Sequence, residues 1–249
     1  MTRGVYTAVS GMLASQAAQD TIAQNLANAG TTGYKEDVPR FHSFGDALAS
    51  RLSPGGSSSI GGLGSGAGLK DETTNFADGG MEKSGNPLDV ALTGDAALVV
   101  QTPQGLRLTR DGALTLDARR TLVQSNGLSP VLGDTGRPIQ IPAKTKDIAI
   151  SARGEITADG VRVGRLRLAG LAASDNPVKM GDNQFAVSTL RPASPLATVR
   201  QGFLEASNVS VVKEMVNMIS IMRAYETNQK MLQSEDDATG KSINEVVKL

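Results

Sequence analysis

Apolar residues divide this chain into three regions by their period, and each period predicts its own kind of structure. From Val5 to Asn28 they recur at spacings of three and four. Val5, Val9, Met12 and Leu13 are continued by Ala17 and Ala18, Ile22 and Leu26, with Gln16, Gln19, Asp20 and Gln24 on the other side. This is the stripe of an amphipathic helix, thin and alanine-rich, and too weak to be stable alone. Asn28-Ala29-Gly30 ends it, and Thr31-Thr32-Gly33 makes the turn that follows.

From Gly85 to about Leu190 the period shortens to two. Leu88–Leu92, Ala97–Val100, Leu106–Thr109, Leu114–Leu116 and Leu122-Val123 are short alternating runs. Asp147–Ile150, Glu155–Thr157, Leu166–Leu168 and Phe185–Val187 continue the series. Gly94-Asp95, Asp111-Gly112, Asn126-Gly127, Asp134-Thr135-Gly136 and Asp159-Gly160 separate runs. Alternation between Gly/Asn/Asp turns predicts antiparallel strands.

After Pro192 and Pro195 a helical period returns. Val211, Met215, Met218, Met222, Tyr225, Gln229, Leu232, Asp236, Thr239, Ile243 and Val246 form one heptad register, apolar at most positions. Val212, Val216 and Ile219 widen its first half. No proline interrupts it, so a helix of roughly 55 Å is predicted at 1.5 Å rise per residue.

The expected fold is therefore α+β. Residues 1–34 and 200–249 make a discontinuous helical assembly domain, its two helices paired as a coiled-coil-like stem. Residues 35–84 are an extended segment with a Gly/Ser-rich linker at Ser53–Ser59 and Gly61–Gly68. Residues 85–199 are an inserted, all-β antiparallel domain. Two stripes exceed what one pair of helices can hide, so the surplus is expected to meet other copies or partners. The expected assembly interface is Val5, Val9, Met12, Leu13, Ile22 and Leu26 with Val211, Met215, Met218, Ile219, Met222, Tyr225, Leu232, Ile243 and Val246.

Composition narrows the chemistry. Lys+Arg 25 balance Asp+Glu 25, with no basic stripe, so nucleic acid and anionic membranes are not expected partners. The 249 residues include no cysteine and one histidine, which excludes thiolate sites and multi-histidine metal sites, and no cofactor is expected. Aromatic content of 3% and 28 glycines suit many turns and modest cores. No apolar h-region follows Arg3, and no apolar run reaches the ~18 residues of a membrane span, so neither a cleaved signal nor membrane insertion is expected.

Individual motifs resolve to local structure. Asp134-Thr135-Gly136 matches an aspartic-protease triplet, but that chemistry needs a second copy and none exists. A turn is the expected role. Gly240-Lys241-Ser242 resembles the end of a phosphate loop, yet Glu235 stands where its first glycine is required. His42 is expected as a polar surface residue. Asn208-Val209-Ser210 fits a glycosylation sequon but is read as a helix start, with Ser207 or Asn208 as N-cap. Met215, Met218 and Met222 suit a packing contact made with varied neighbours.

Taken together, these segments resemble the flagellar rod and hook family. Asn25-Leu26-Ala27-Asn28-Ala29-Gly30-Thr31-Thr32-Gly33-Tyr34-Lys35 is similar to its N-terminal signature. Gly85-Asn86-Pro87-Leu88-Asp89-Val90-Ala91-Leu92 resembles the start of its β domain, followed in order by Thr102-Pro103, Thr109-Arg110-Asp111-Gly112 and Leu116-Asp117. Gln201-Gly202-Phe203-Leu204-Glu205-Ala206-Ser207-Asn208-Val209 and Met222-Arg223-Ala224-Tyr225-Glu226 resemble its C-terminal signature. The resemblance implies a non-enzymatic structural subunit of the periplasm-spanning basal-body rod, exported through the flagellar type III apparatus without a cleaved signal. It would polymerise through its terminal helices with copies of itself and other axial proteins and transmit torque. The short chain favours a proximal-type rod protein over a distal rod or hook-type one. The rival from another class is an all-β hydrolase using Asp111, Asp117 or Asp134, which leaves the C-terminal heptad unexplained.

Overall fold

A long helix at each end of the chain brackets 17 strands in the computed structural model, which describes residues 2–43, 66–126 and 129–246. Most of the expected linker and Gly127 of one expected turn lie outside those residues. Two units emerge. Unit 1 combines Met1–Ala27, Asp37–Thr73 and Ser210–Leu249, and unit 2 combines Asn28–Glu36 with Thr74–Val209.

In unit 1, α1 (Thr2–Ala27) and α2 (Val211–Val246) pack against one another beside a two-stranded sheet, β1 (Asp37–Ser43) with β2 (Ala67–Thr74). Ala67 and Gly68, expected in the linker, begin β2. Helix α1 has no proline, and it stops where Thr31 N–H donates to the Asn28 carbonyl at 3.0 Å. Helix α2 starts with the Ser210 carbonyl accepting from Glu214 N–H at 2.9 Å, and Glu214 places a negative charge in the first turn, where the helix dipole favours it. The expected cap at Ser207 or Asn208 is therefore corrected. The Asn208 side chain is committed elsewhere, accepting from Glu36 N–H at 2.7 Å and donating to the Asn75 carbonyl at 2.8 Å.

Unit 2 is built from antiparallel pairs. Its strands are β3 (Met81–Lys83), β4 (Val90–Leu92), β5 (Ala96–Thr102), β6 (Gly105–Thr109), β7 (Leu114–Leu116), β8 (Leu122–Gln124) and β9 (Ile148–Ile150). They continue with β10 (Glu155–Ala158), β11 (Val161–Arg165), β12 (Leu168–Gly170), β13 (Val178–Lys179), β14 (Gln184–Ala186), β15 (Arg191–Pro192), β16 (Val199–Gln201) and β17 (Phe203–Glu205). A six-stranded sheet runs β13-β14-β6-β5-β12-β15, and a three-stranded one runs β11-β10-β9.

Strand β5 shows why the core forms. Its first five residues are all buried, and side chains alternate between its two faces. Ala96, Leu98 and Val100 join Val90, Leu92, Leu122 and Ile156 in one cluster, while Ala97 and Val99 join Leu108, Leu132 and Phe185 in a second. One apolar run thus serves two cores. The β10–β11 hairpin closes through Asp159 (φ 50°) and Gly160 (φ 81°), the paired positive angles that match the right-handed twist of a hairpin.

Candidate assembly surface

The contact between α1 and α2 has a fixed register. Glu235 lies against Gly4, Asn228 against Gly11, and the Glu214 carboxylate accepts from Asn25 Nδ2 at 3.2 Å. Residue numbers rise on α1 as they fall on α2, so the helices run antiparallel, and all three pairs keep the same sum. On α1 the inward positions Ala8, Gly11, Ser15, Ala18, Ile22 and Asn25 repeat at spacings of three and four, and most are small. A Cβ on Gly4 or Gly11 would come within 2.8 Å of the Glu235 or Asn228 side chain. Glycine there lets polar side chains of α2 lie across the seam. Small residues bury little apolar area, so each layer stabilises less than a leucine layer would.

The large apolar residues of the helices are elsewhere. Leu13 is 62% exposed and Ile219 is 51% exposed. Val9, Val211, Met215 and Met222 are also exposed, as are Tyr6, Val212 and Val216 beside them. Val5, Met12, Leu26, Met218, Tyr225 and Leu232 are half-buried, and Ile22 is buried. The side chains of Ile243 and Val246 lie outside the described residues. Within the chain, α2 uses Glu214, Met218, Ile221, Tyr225, Asn228, Leu232 and Glu235 as its more covered face. The heptad read from apolar spacing shares only part of that face and leaves Val211, Met215 and Met222 outward.

The base of this helical pair is held by polar groups. Asn25 Nδ2 donates to the Asp37 carbonyl at 2.8 Å and Asn25 Oδ1 accepts from Asp37 N–H at 3.0 Å, so one amide side chain pairs with the backbone of β1. Thr21 donates to Glu72 at 2.7 Å, joining β2 to the same helix.

Unit 2 contains a buried ionic hub that sequence reasoning did not single out. Glu205, 1% exposed, accepts from Lys35 Nζ at 2.7 Å, from Gly79 N–H at 2.9 Å, and from Arg110 at 3.0 and 3.1 Å. Arg110 also donates to the Gly94 and Ala96 carbonyls and to Asp78, each at 2.6 Å. Lys35, 0% exposed, donates additionally to the Ala77 carbonyl at 2.7 Å. Burial, and after it the adjacent Arg110 charge, push the Lys35 ammonium below its usual pKa range, while Glu205 opposes them. The only sequence signal was position: each of Lys35, Arg110 and Glu205 is a charge inside a signature segment.

The carboxylates of the hydrolase rival have structural partners or a turn position. Asp111 accepts from Thr32 at 2.7 Å and from Ala113 N–H, and Gln124 donates to its second oxygen. Asp117 accepts from the backbone N–H of Arg119 and Thr121, and Asp134 begins an exposed turn.

Three family models match this chain in order. Residues 5–35 match the flagella basal body rod protein model, 91–158 the flagellar hook protein FlgE/F/G D1 domain, and 200–245 the flagellar basal body rod FlgEFG protein C-terminal model. Over 98% of its length it is 31% identical to the flagellar basal-body rod protein FlgF of Rhizobium meliloti, covering 97% of that protein. The chain belongs to the flagellar basal-body rod protein family. It is also 31% identical to FlgF of Caulobacter vibrioides with both chains fully covered. FlgG of Bacillus subtilis is 30% identical, with 98% of this chain and 99% of that protein covered. The rod-protein signatures now have a physical explanation. Gly33 N–H donates to the Glu205 carbonyl at 2.8 Å and Lys35 pairs with Glu205, so the N-terminal and C-terminal signatures are bound to each other within unit 2.

Proposed function

We propose that this chain is a structural subunit of the flagellar basal-body rod, of the proximal type, that polymerises through its terminal helices and transmits torque. The exposed apolar face of α1 and α2 carries this reading. Tyr6, Val9 and Leu13 on one helix, and Val212, Met215, Val216, Ile219 and Met222 on the other, are large side chains left in water on long helices. Burying each against a neighbour stabilises the polymer by about 1.5–3 kcal/mol. Repeated over many subunits, such contacts suit helices that pack coiled-coil-like around the axis of a tube. Partners are then copies of this chain and other axial proteins, and delivery is through the flagellar export apparatus into the periplasm-spanning rod. No helix among the described residues is long and apolar enough to cross a membrane. The proximal position is supported by full-length similarity to FlgF proteins. FlgG relatives of nearly equal identity make a distal position the second reading.

The test is a strain carrying Leu13→Asp or Ile219→Asp. Both variants are expected to fold in unit 2, to be secreted, and to be missing from purified basal bodies. Wild-type incorporation of both would end the proposal. Basal bodies from a deletion strain, examined for where assembly stops, separate proximal from distal.

A further inference from the structure

Unit 2 contains an open cleft of about 640 Å³ that the helical assembly surface does not use. Its volume falls in the range of cavities that take up ligands or side chains. One wall is made by residues around Arg153, Arg165 and Arg167, and the other by Pro192 to Ala197, the loop leaving edge strand β15. The sequence explains the clustering. Arg165 and Arg167 flank Leu166, which is buried in the core, so alternation sends both arginines to the opposite side. Arg165 Nε donates to the Arg153 carbonyl at 3.0 Å, which ties the third arginine to the same wall.

Among the described residues none of these three guanidinium groups is in an ion pair. The cleft also has two carboxylates, but Glu155 is shared with Arg162 at 3.5 Å. That leaves three guanidinium groups against one uncommitted carboxylate, Asp134, an excess of positive charge that a further anion would relieve. The lip adds a second observation. Leu196, between Pro195 and Ala197 of the lining, is 88% exposed, more than any other large hydrophobic among the described residues. Pro192 and Pro195 have no N–H to offer, so a segment laid on this lip is read there through side chains and not by strand addition.

We infer that this cleft docks an acidic segment of another protein subunit. Its carboxylates meet Arg153, Arg165 and Arg167, and an apolar side chain covers Leu196. Guanidinium groups suit this role because their planar fork matches a carboxylate. None of its lining residues belongs to the helical surface, so the two are tested by different substitutions.

The experiment uses full-length protein and a fluorescent peptide alternating glutamate with leucine, followed by anisotropy. A peptide with every glutamate replaced by glutamine is the control, and citrate is a free polycarboxylate competitor. Expected are binding of the acidic peptide, about tenfold or weaker binding of the control, and a similar loss in Arg153→Gln/Arg167→Gln. Leu196→Ser should weaken binding without changing its salt dependence. Arg167→Lys, which retains charge and solubility, should fall between wild type and the double variant. Equal binding of the two peptides, or no binding of either, overturns the inference. So does displacement by citrate at equal carboxylate concentration, which would make the cleft a small-anion site. Leu13→Asp protein should bind the peptide normally, so this result and the assembly result can fail separately.

Discussion

Replacing Glu205 with alanine should be among the most damaging single changes available in unit 2. Glu205 is the acceptor for Lys35 and for both sides of the Arg110 fork, and neither cation is more than 2% exposed. Removing it leaves two buried positive charges facing each other, with Asp78, 42% exposed, as the remaining carboxylate on Arg110. Breaking a buried pair this way costs about 3–5 kcal/mol, a large part of the 5–15 kcal/mol that holds a typical domain. Lys35→Met tests the reasoning. It removes the cation that burial and Arg110 already disfavour, and it leaves the bidentate Arg110–Glu205 pair intact. Its cost should stay under about 2 kcal/mol, set by the lost bonds to Glu205 and the Ala77 carbonyl. Urea unfolding of both variants and wild type, followed by circular dichroism, gives the comparison. Equal losses in the two variants would refute the account, because they would mean that simple packing at the hub matters more than the balance of charge.

Other changes follow from backbone and charge. Gly33→Ala should destabilise by about 2 kcal/mol or more, because φ is +66° and the added Cβ would lie 2.5 Å from the Arg110 backbone; thermal unfolding reads it. Lys144→Gly should stabilise by about 0.5 kcal/mol, since Lys144 is exposed at φ 74°. Arg120→Gly, at φ 59°, should be closer to neutral in the same assay because it also loses the bond from Arg120 Nε to the Ile141 carbonyl. Asp175 is held below the usual carboxylate range, chiefly by the hydrogen bond from Arg191. Its contribution is therefore present above the unfolded pKa of about 3.9 and lost as pH falls through the lower folded value. The stabilities of wild type and Asp175→Asn should converge in acid, and a gap that widens as pH falls would contradict this.

Much of the fold was legible because period alone separates the elements. The runs Leu114–Leu116 and Glu155–Thr157 emerge as β7 and β10 nearly unchanged, and the helical runs emerge as α1 and α2. Which face of α1 packs was not legible. A reading that follows large apolar residues selects Val9 and Leu13, whereas the seam is made by Ala8, Gly11, Ser15 and Ala18, whose value is close approach and not hydrophobicity. The ionic hub was hidden for a related reason. Lys35, Asp78, Arg110 and Glu205 are far apart in sequence, and nothing local marks a charge for burial until its partners are brought to it.

The pairing of Asn25 with Glu214 spans 189 residues. For an unfolded chain, closing so long a loop carries an entropic cost that grows with the logarithm of its length. Once unit 2 has folded, its own ends are tied together, Gly33 to Glu205 and Tyr34 to Asn208. The loop that α1 and α2 must then close shrinks to the short connectors on either side. On the logarithmic scale this lowers the closure cost by roughly 2 kcal/mol, comparable to one or two layers of a small-residue seam. The inserted unit therefore acts as a tether that raises the effective concentration of one helix near the other. The order it favours is β structure first and helix pairing second.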